Sequence, residues 1–268
     1  MPGAAPSERS ARIEVEEHGE GRPIIFVHGL TFDRRILVET SEPMFGALHA
    51  RRLYIDLPGH GASPADPRAA SAEGLVDALC GLVDETCAGV APIVVGHSYG
   101  GYLALGLASV RSLAGLVLVA PVIEPDLARR VVPQRRVAVL APELAFLPDA
   151  PERATFEEIA VVQTPEVLLA YQRLVHAASE RTDRTMLEAV RRRYVLPQPI
   201  LAQLGAHAPP TLILCGRDDH WVGYEDSLPV VRALPRCELV VLPDCGQLLP
   251  IEAGERYRAL VGGFLARL

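Results

Sequence analysis

The 268-residue sequence predicts an α/β protein with a mostly parallel central sheet flanked by helices. Three observations carry that prediction. Short, continuous apolar runs recur, each closed by Gly or Pro, as strands buried on both faces of a parallel sheet require. Stretches of helical length stand between them. The alternation breaks once, from about residue 123 to 207, where only helical signals are found. The expected organisation is a core of residues 11–122 and 208–268, a helical cap of 123–207 folded over the sheet, and a flexible lead-in of residues 1–10 rich in Pro, Ala and Ser.

In chain order, Ala11–Glu17 alternates Ile13 and Val15 with charged neighbours, as an edge strand does. Pro23–Val27 is a buried strand closed by His28-Gly29, and Arg52–Asp56 another, ending at Pro58-Gly59. Ala72–Thr86 sets Leu75, Leu79, Leu82 and Val83 on one helical face. Pro92–Val95 ends at Gly96, and Tyr99–Ser109 reads as a helix of small and apolar residues. The strand Leu113–Ala120 ends at Pro121. In the cap, Thr164-Pro165-Glu166 supplies an N-cap and first turn for a helix through Ala178, and Asp183 starts another to about Val195. Strands Thr211–Cys215 and Glu238–Leu242 and the amphipathic helix Gly254–Leu268 complete the core.

Composition removes whole classes of chemistry. Twenty-six basic against 33 acidic residues give a net charge of −7, which disfavours a nucleic-acid partner. All 26 basic residues are Arg, and neither Lys nor Asn occurs. A Schiff-base lysine and a P-loop lysine are therefore missing, and with them pyridoxal and phosphoryl-transfer readings. Both missing residue types have A-rich codons, which points to a GC-rich bacterial genome. The five cysteines form no Cys-x-x-Cys pair, so reduced thiols and no metal are expected, and no cofactor is implied. No apolar run reaches the roughly 18 residues of a membrane span and no signal-peptide core is visible, so the expectation is a cytoplasmic chain without a membrane partner.

The strand Pro92–Val95 runs into Gly96-His97-Ser98-Tyr99-Gly100-Gly101 and then a helix, the context a nucleophile elbow demands. A serine on a tight turn at positive φ needs neighbours without side chains, and the glycines stand where the turn needs them. Ser98 is the candidate nucleophile. With Phe26-Val27-His28-Gly29-Leu30 and Asp56-Leu57-Pro58-Gly59-His60-Gly61 in the same order, the chain resembles the α/β-hydrolase fold family from about residue 12 to 268. The resemblance implies an oxyanion hole formed by the backbone N–H groups of Leu30 and Tyr99, and a triad in the order serine, acid, histidine. It also implies an ester, thioester or lactone carbonyl as the point of attack.

Gly216-Arg217-Asp218-Asp219 offers two carboxylates after the strand Thr211–Cys215. The family spacing picks Asp219, with Asp218 read as a solvated or loop-capping group and Glu124, after the preceding strand, as the runner-up acid. The family's histidine position, in Pro243-Asp244-Cys245-Gly246-Gln247, holds Gln247. A glutamine amide has no basic site near neutral pH, so it cannot take the serine proton. Three explanations stay open: a substituted form of an enzyme whose natural residue is histidine, an enzyme redirected to elimination, cyclisation or isomerisation, or another histidine acting as base. A ligand-binding protein that keeps the pocket without turnover is a fourth, of a different class. Of the eight histidines, His220 beside Asp219 is the alternative base. His28, His60 and His97 lie in the turn motifs and read as structural, His176 lies on the cap, and His18, His49 and His207 read as loop or surface residues.

The cap is more apolar than a solvated covering needs, carrying Val137, Val139, Leu140, Leu144, Phe146, Leu147, Ile159, Val161, Val162, Leu168, Leu169 and Tyr171. That suggests a small-molecule substrate with an apolar portion. Arg129-Arg130, Arg135-Arg136 and Arg191-Arg192-Arg193 offer two readings, steering of a carboxylate or carrier-protein arm, and pairing with nearby Glu and Asp on a solvated face.

Overall fold

The computed structural model describes residues 10–46, 48–146, 150–197, 200–204 and 208–268. The lead-in expected over residues 1–10 therefore falls, except for Ser10, outside the described residues, as do Leu147 and His207. Strands β1 (Glu14–His18) and β2 (Arg22–Val27) are followed by helix α1 (Arg34–Ser41), strand β3 (Ala50–Asp56) and helix α2 (Ala72–Thr86). Next come β4 (Ile93–His97), α3 (Tyr99–Val110) and β5 (Gly115–Val119). After the insertion, β8 (Thr211–Gly216), α9 (Leu228–Ala233), β9 (Cys237–Leu242), α10 (Leu249–Glu252) and α11 (Gly254–Leu265) close the chain.

The strands form one seven-stranded sheet in the order β1-β3-β2-β4-β5-β8-β9. Only β1 runs antiparallel, pairing with β3 from Glu14↔Asp56 to His18↔Arg52. The edge strand thus starts three residues later than its alternation suggests, and at its first residue the Glu14 N–H donates to Ser63 Oγ at 2.8 Å. Central strands β4 and β5 are buried at every residue, as expected of β-branched runs covered on both faces. One face packs on α2 and α3 through Leu75, Leu79, Leu103 and Leu107. The other packs on α1 and α11 through Ile36, Leu37, Tyr257 and Val261.

The insertion departs from an all-helical cap. Its helices are α4 (Arg153–Ile159), α5 (Pro165–Tyr171), α6 (Ala177–Ser179), α7 (Arg184–Arg192) and α8 (Ile200–Leu204). Between them, β6 (Val139–Leu140) and β7 (Val162–Gln163) pair in parallel, a two-residue ladder too short to leave a periodic signal. Thr164 caps α5 and Asp183 caps α7 through side-chain oxygens, as the sequence predicts. The helix begun at Pro165 does not run unbroken to Ala178, since Gln172–His176 forms a π-helical turn. Leu144, Leu168 and Tyr171 bury themselves in the core beside Phe26 and Val95, whereas Leu140 and Leu169 are exposed. Tyr99 and Tyr102 on α3 pin the end of the insertion: Tyr99 Oη donates to the Tyr194 carbonyl and Tyr102 Oη accepts from the Leu196 N–H, both at 2.9 Å. Among the described residues no helix is long and apolar enough to cross a membrane.

Candidate active site

Ser98 links β4 to α3 at φ 55° and ψ −122°, a conformation that costs a side-chained residue about 1–3 kcal/mol. The turn closes because two neighbours lack side chains. A Cβ on Gly96 would stand 2.4 Å from the Gly100 carbonyl oxygen, and one on Gly100 only 2.3 Å from that of Val27. The Ser98 N–H donates to the Val119 carbonyl at 2.9 Å, and its own carbonyl accepts from Gly101 and Val122 at 2.9 and 3.0 Å. The loop after β2 runs against it, since a Cβ on Gly29 would lie 3.2 Å from Ser98 Oγ. Among the described residues the Leu30 amide has no acceptor, and the Tyr99 amide, first in α3, has none within its helix.

Backbone strain concentrates here. Among the described residues the non-glycine positions at positive φ are Thr31, Ala88, Ser98, Ala120 and Asp244, and all but Ala88 sit just beyond the C-terminal ends of β2, β4, β5 and β9. Stored strain of this kind is found where a structure over-determines a functional geometry. The surrounding loops are braced by buried histidines. The Leu57 N–H donates to His28 Nε2 at 2.9 Å, so Nδ1 carries the proton and donates to the Gly29 carbonyl at 2.7 Å. Burial holds His28 below its ordinary range. His97 donates from Nε2 to the Gln247 carbonyl at 3.0 Å and stacks on Phe32, and burial pushes it down to about 4. His60, also buried, bonds the Pro58 carbonyl through Nδ1. None of the three bonds the Ser98 hydroxyl.

Asp219 follows the end of β8 and is buried. Its Oδ1 accepts from the Trp221 and Val222 amides at 2.9 and 3.0 Å, while Oδ2 has no partner among the described residues. Burial pushes its carboxyl up to about 7. Gln247, beyond β9, is buried too; its Nε2 donates to the Ala120 carbonyl at 3.5 Å and its Oε1 has no partner among the described residues. A Cβ on Gly246 would stand 3.5 Å from Asp219 Cα. Ser98, Asp219 and Gln247 are thus gathered at the C-terminal end of the sheet, beyond β4, β8 and β9.

The other sequence candidates are engaged elsewhere. Asp218 is less a solvated carboxylate than a brace: Arg136 binds it at 2.9 and 3.0 Å and holds it below the usual range, and it accepts from the Asp244 N–H at 3.1 Å. Glu124 stays in its own loop, accepting from the Asp126 N–H and pairing with Arg129. His220 Nε2 bonds the Glu158 carbonyl of the insertion at 2.8 Å, and it makes no hydrogen bond to Ser98 or Asp219. His176 lies half-buried in the π-helical turn, His18 bonds Glu16, and His49 is exposed. Arg130 bonds the Glu124 and Trp221 carbonyls, Arg135 that of Glu157 and Arg193 that of Ala70. One residue that composition and motifs pass over is Glu252, whose carboxylate accepts three backbone amides around this site. Its only sequence signal is a lone carboxylate in the apolar run Leu248-Leu249-Pro250-Ile251-Glu252.

Among the described residues the arrangement offers a strained hydroxyl, two unpartnered amides, a buried carboxyl and a buried, uncharged amide. Comparison with known proteins agrees with the fold. A family model described as the alpha/beta hydrolase family matches residues 24–260. A 2-hydroxymuconate semialdehyde hydrolase of Pseudomonas putida is 28% identical over 95% of this chain and 91% of its own. The crystal structure of an alpha/beta superfamily hydrolase from Oenococcus oeni PSU-1 superposes with a TM-score of 0.86 at 26% identity, covering 95% of each chain. A putative aryl esterase from Burkholderia cenocepacia superposes at 0.75 with 25% identity and 97% of each chain covered.

Proposed function

The chain belongs to the alpha/beta hydrolase family, and from that premise we propose that it acts at an ester, thioester or lactone carbonyl through Ser98, with Gln247 standing where the family's catalytic histidine would. The observation that carries this is the elbow at Ser98, held at φ 55° beside the Leu30 and Tyr99 amides. A carbonyl carbon within reach of Ser98 Oγ would place its oxygen toward those two N–H groups, which stabilise the negative charge that develops as the carbonyl becomes tetrahedral. The N-terminal end of α3 adds a favourable partial charge. Without an imidazole, Oγ keeps its proton, and attack slows by roughly 10⁴–10⁶ relative to an intact triad.

Two observations favour a second reading. Gln247 is buried, and its Nε2 meets the Ala120 carbonyl, while Asp219 is pushed up to about 7 by burial. A carboxyl near neutrality and an oxyanion hole suit elimination, cyclisation or isomerisation of a carbonyl compound without an acyl-enzyme. The small-molecule substrate with an apolar portion, free or carrier-borne, is part of the same proposal. A fluorophosphonate probe read by intact mass separates the cases. Ser98 should label slowly in this chain, quickly in Gln247→His, and not in Ser98→Ala. Rapid stoichiometric labelling of the unchanged chain would show that another base, His220 first, activates Ser98.

A further inference from the structure

Two contacts join the insertion to the turn that carries Gln247. Arg136, ahead of β6, bridges Asp218 on the β8 loop and Asp244 in the turn, the latter at 2.7 Å. From the core side, Glu252 at the end of α10 reaches both ways. Its Oε2 accepts from the Gly246 N–H at 2.6 Å, and its Oε1 accepts from the Val161 and Val162 amides at 2.6 and 3.1 Å. Val162 opens β7, and the Val161 carbonyl accepts from Ala138 at 2.9 Å, two residues beyond Arg136. The contacts therefore close a ring: turn, Glu252, β7, β6, Arg136, turn.

We propose that Glu252 is a positioning residue, whose single carboxylate fixes the Gly246-Gln247 turn and the β7 end of the insertion together, so that neither is displaced without the other. The geometry requires both oxygens. Three amide donors converge on one side chain, and each of these partly buried N–H groups would otherwise lie unpaired beside the site, an expensive state. A carboxylate is the acceptor-only group that can take all three, and it stands at the last residue of the four-residue helix α10. Asp219 packs against Gly246 as well, its Cα 3.5 Å from where a Cβ on Gly246 would stand, so an error in this turn would be felt between the acid and position 247.

The test is amide hydrogen exchange in the full chain, resolved by NMR, with Glu252→Gln as the variant. Glutamine keeps the length and volume but offers one accepting oxygen, so a role in packing alone would leave exchange as it was. The proposal expects exchange at Gly246, Val161 and Val162 to rise together by about tenfold or more, with Val94 and Val117 in the central strands within about twofold of the original. No change, a rise at one side only, or a uniform rise across the sheet would overturn it. Should the variant fail to fold, the unchanged chain still decides. The three amides should share one opening, with protection within about threefold and the same urea dependence, and separate openings would overturn the coupling. In the Gln247→His chain, Glu252→Gln should lower kcat about tenfold with KM changed less than threefold, and an unchanged kcat would remove the positioning role. This last arm rests on the Ser98 reading. If Gln247→His has no turnover, that reading fails while the exchange data still judge Glu252.

Discussion

Replacing Asp219 with asparagine should stabilise the protein, and by an amount that depends on pH in a defined way. The carboxyl is buried, and Oδ2 has neither a hydrogen-bond donor nor a cation beside it among the described residues. Burial pushes it up to about 7 from an ordinary 3.8. Below about pH 4 it is protonated folded and unfolded alike, so it contributes nothing to pH dependence. Between about 4 and 7 the folded chain holds a proton that the unfolded chain has released, so stability falls as pH rises. Above 7 the full cost of a buried charge is present, about 4 kcal/mol from the separation of those two values. The amide of the Asp219→Asn variant would keep an oxygen for the Trp221 and Val222 amides and replace the unpartnered Oδ2 with an uncharged N–H₂, so no charge is buried at any pH. The stability difference between Asp219→Asn and the parent should therefore be small at pH 4 and grow to roughly 2–4 kcal/mol at pH 8. Urea unfolding of both chains across that range measures it, and using the difference cancels the titrations of all other groups. A difference that stays flat with pH, or an asparagine variant less stable at pH 8, would refute the account of Asp219 as a carboxyl held without its cation.

Two further outcomes follow from the same geometry. His97 is buried and pushed down to about 4 from 6.5, so the stability it contributes is present above pH 6.5 and lost as pH falls toward 4; His97→Gln, which keeps a donor for the Gln247 carbonyl, should be more stable than the parent by roughly 2–3 kcal/mol at pH 4 and about equal at pH 7. Equal effects at both pH values in urea unfolding would contradict that. Gly100→Ala should cost about 3 kcal/mol or more by the same assay, because its Cβ would meet backbone oxygens of Val27 and His28 at 2.3 and 2.5 Å, neither free to move. A loss under about 1 kcal/mol would show that the elbow has slack.

Much of this was legible in the sequence because the signals are local and repeated. Short apolar runs such as Ile93–Val95 and Gly115–Val119, closed by Gly or Pro, read as strands with both faces covered, and Gly96 and Gly100 announce a turn that a serine alone could not make. The spacing that the family resemblance implies picks Asp219 over Asp218, and it is Asp219 whose carboxyl is the more deeply buried. What stayed hidden depends on contacts between distant residues. Arg136 meets Asp218 and Asp244 across 82 and 108 positions, and Glu252 meets Val161 across 91. Nothing in the local pattern of either residue distinguishes a brace from a solvated charge. The β6–β7 ladder escaped because two residues per strand carry no period. Thr31 and Ala120 at positive φ were equally invisible, since neither is a residue type that favours that region.

On the function proposed above, Ser98 and Asp219 stand in working hydrolase geometry and Gln247 is what separates this chain from rapid turnover. Turnover of short and medium p-nitrophenyl esters by Gln247→His, with Ser98→Ala in the same background as the control, tests that most directly. An imidazole at position 247, its carbonyl still held by His97 at 3.0 Å in the parent, would take the proton of Ser98 and use Asp219 to hold its own. The rate should rise about 10³-fold or more over the parent and vanish with Ser98→Ala. A gain of about tenfold or less in a folded variant would contradict the proposal and favour carbonyl chemistry built around the glutamine.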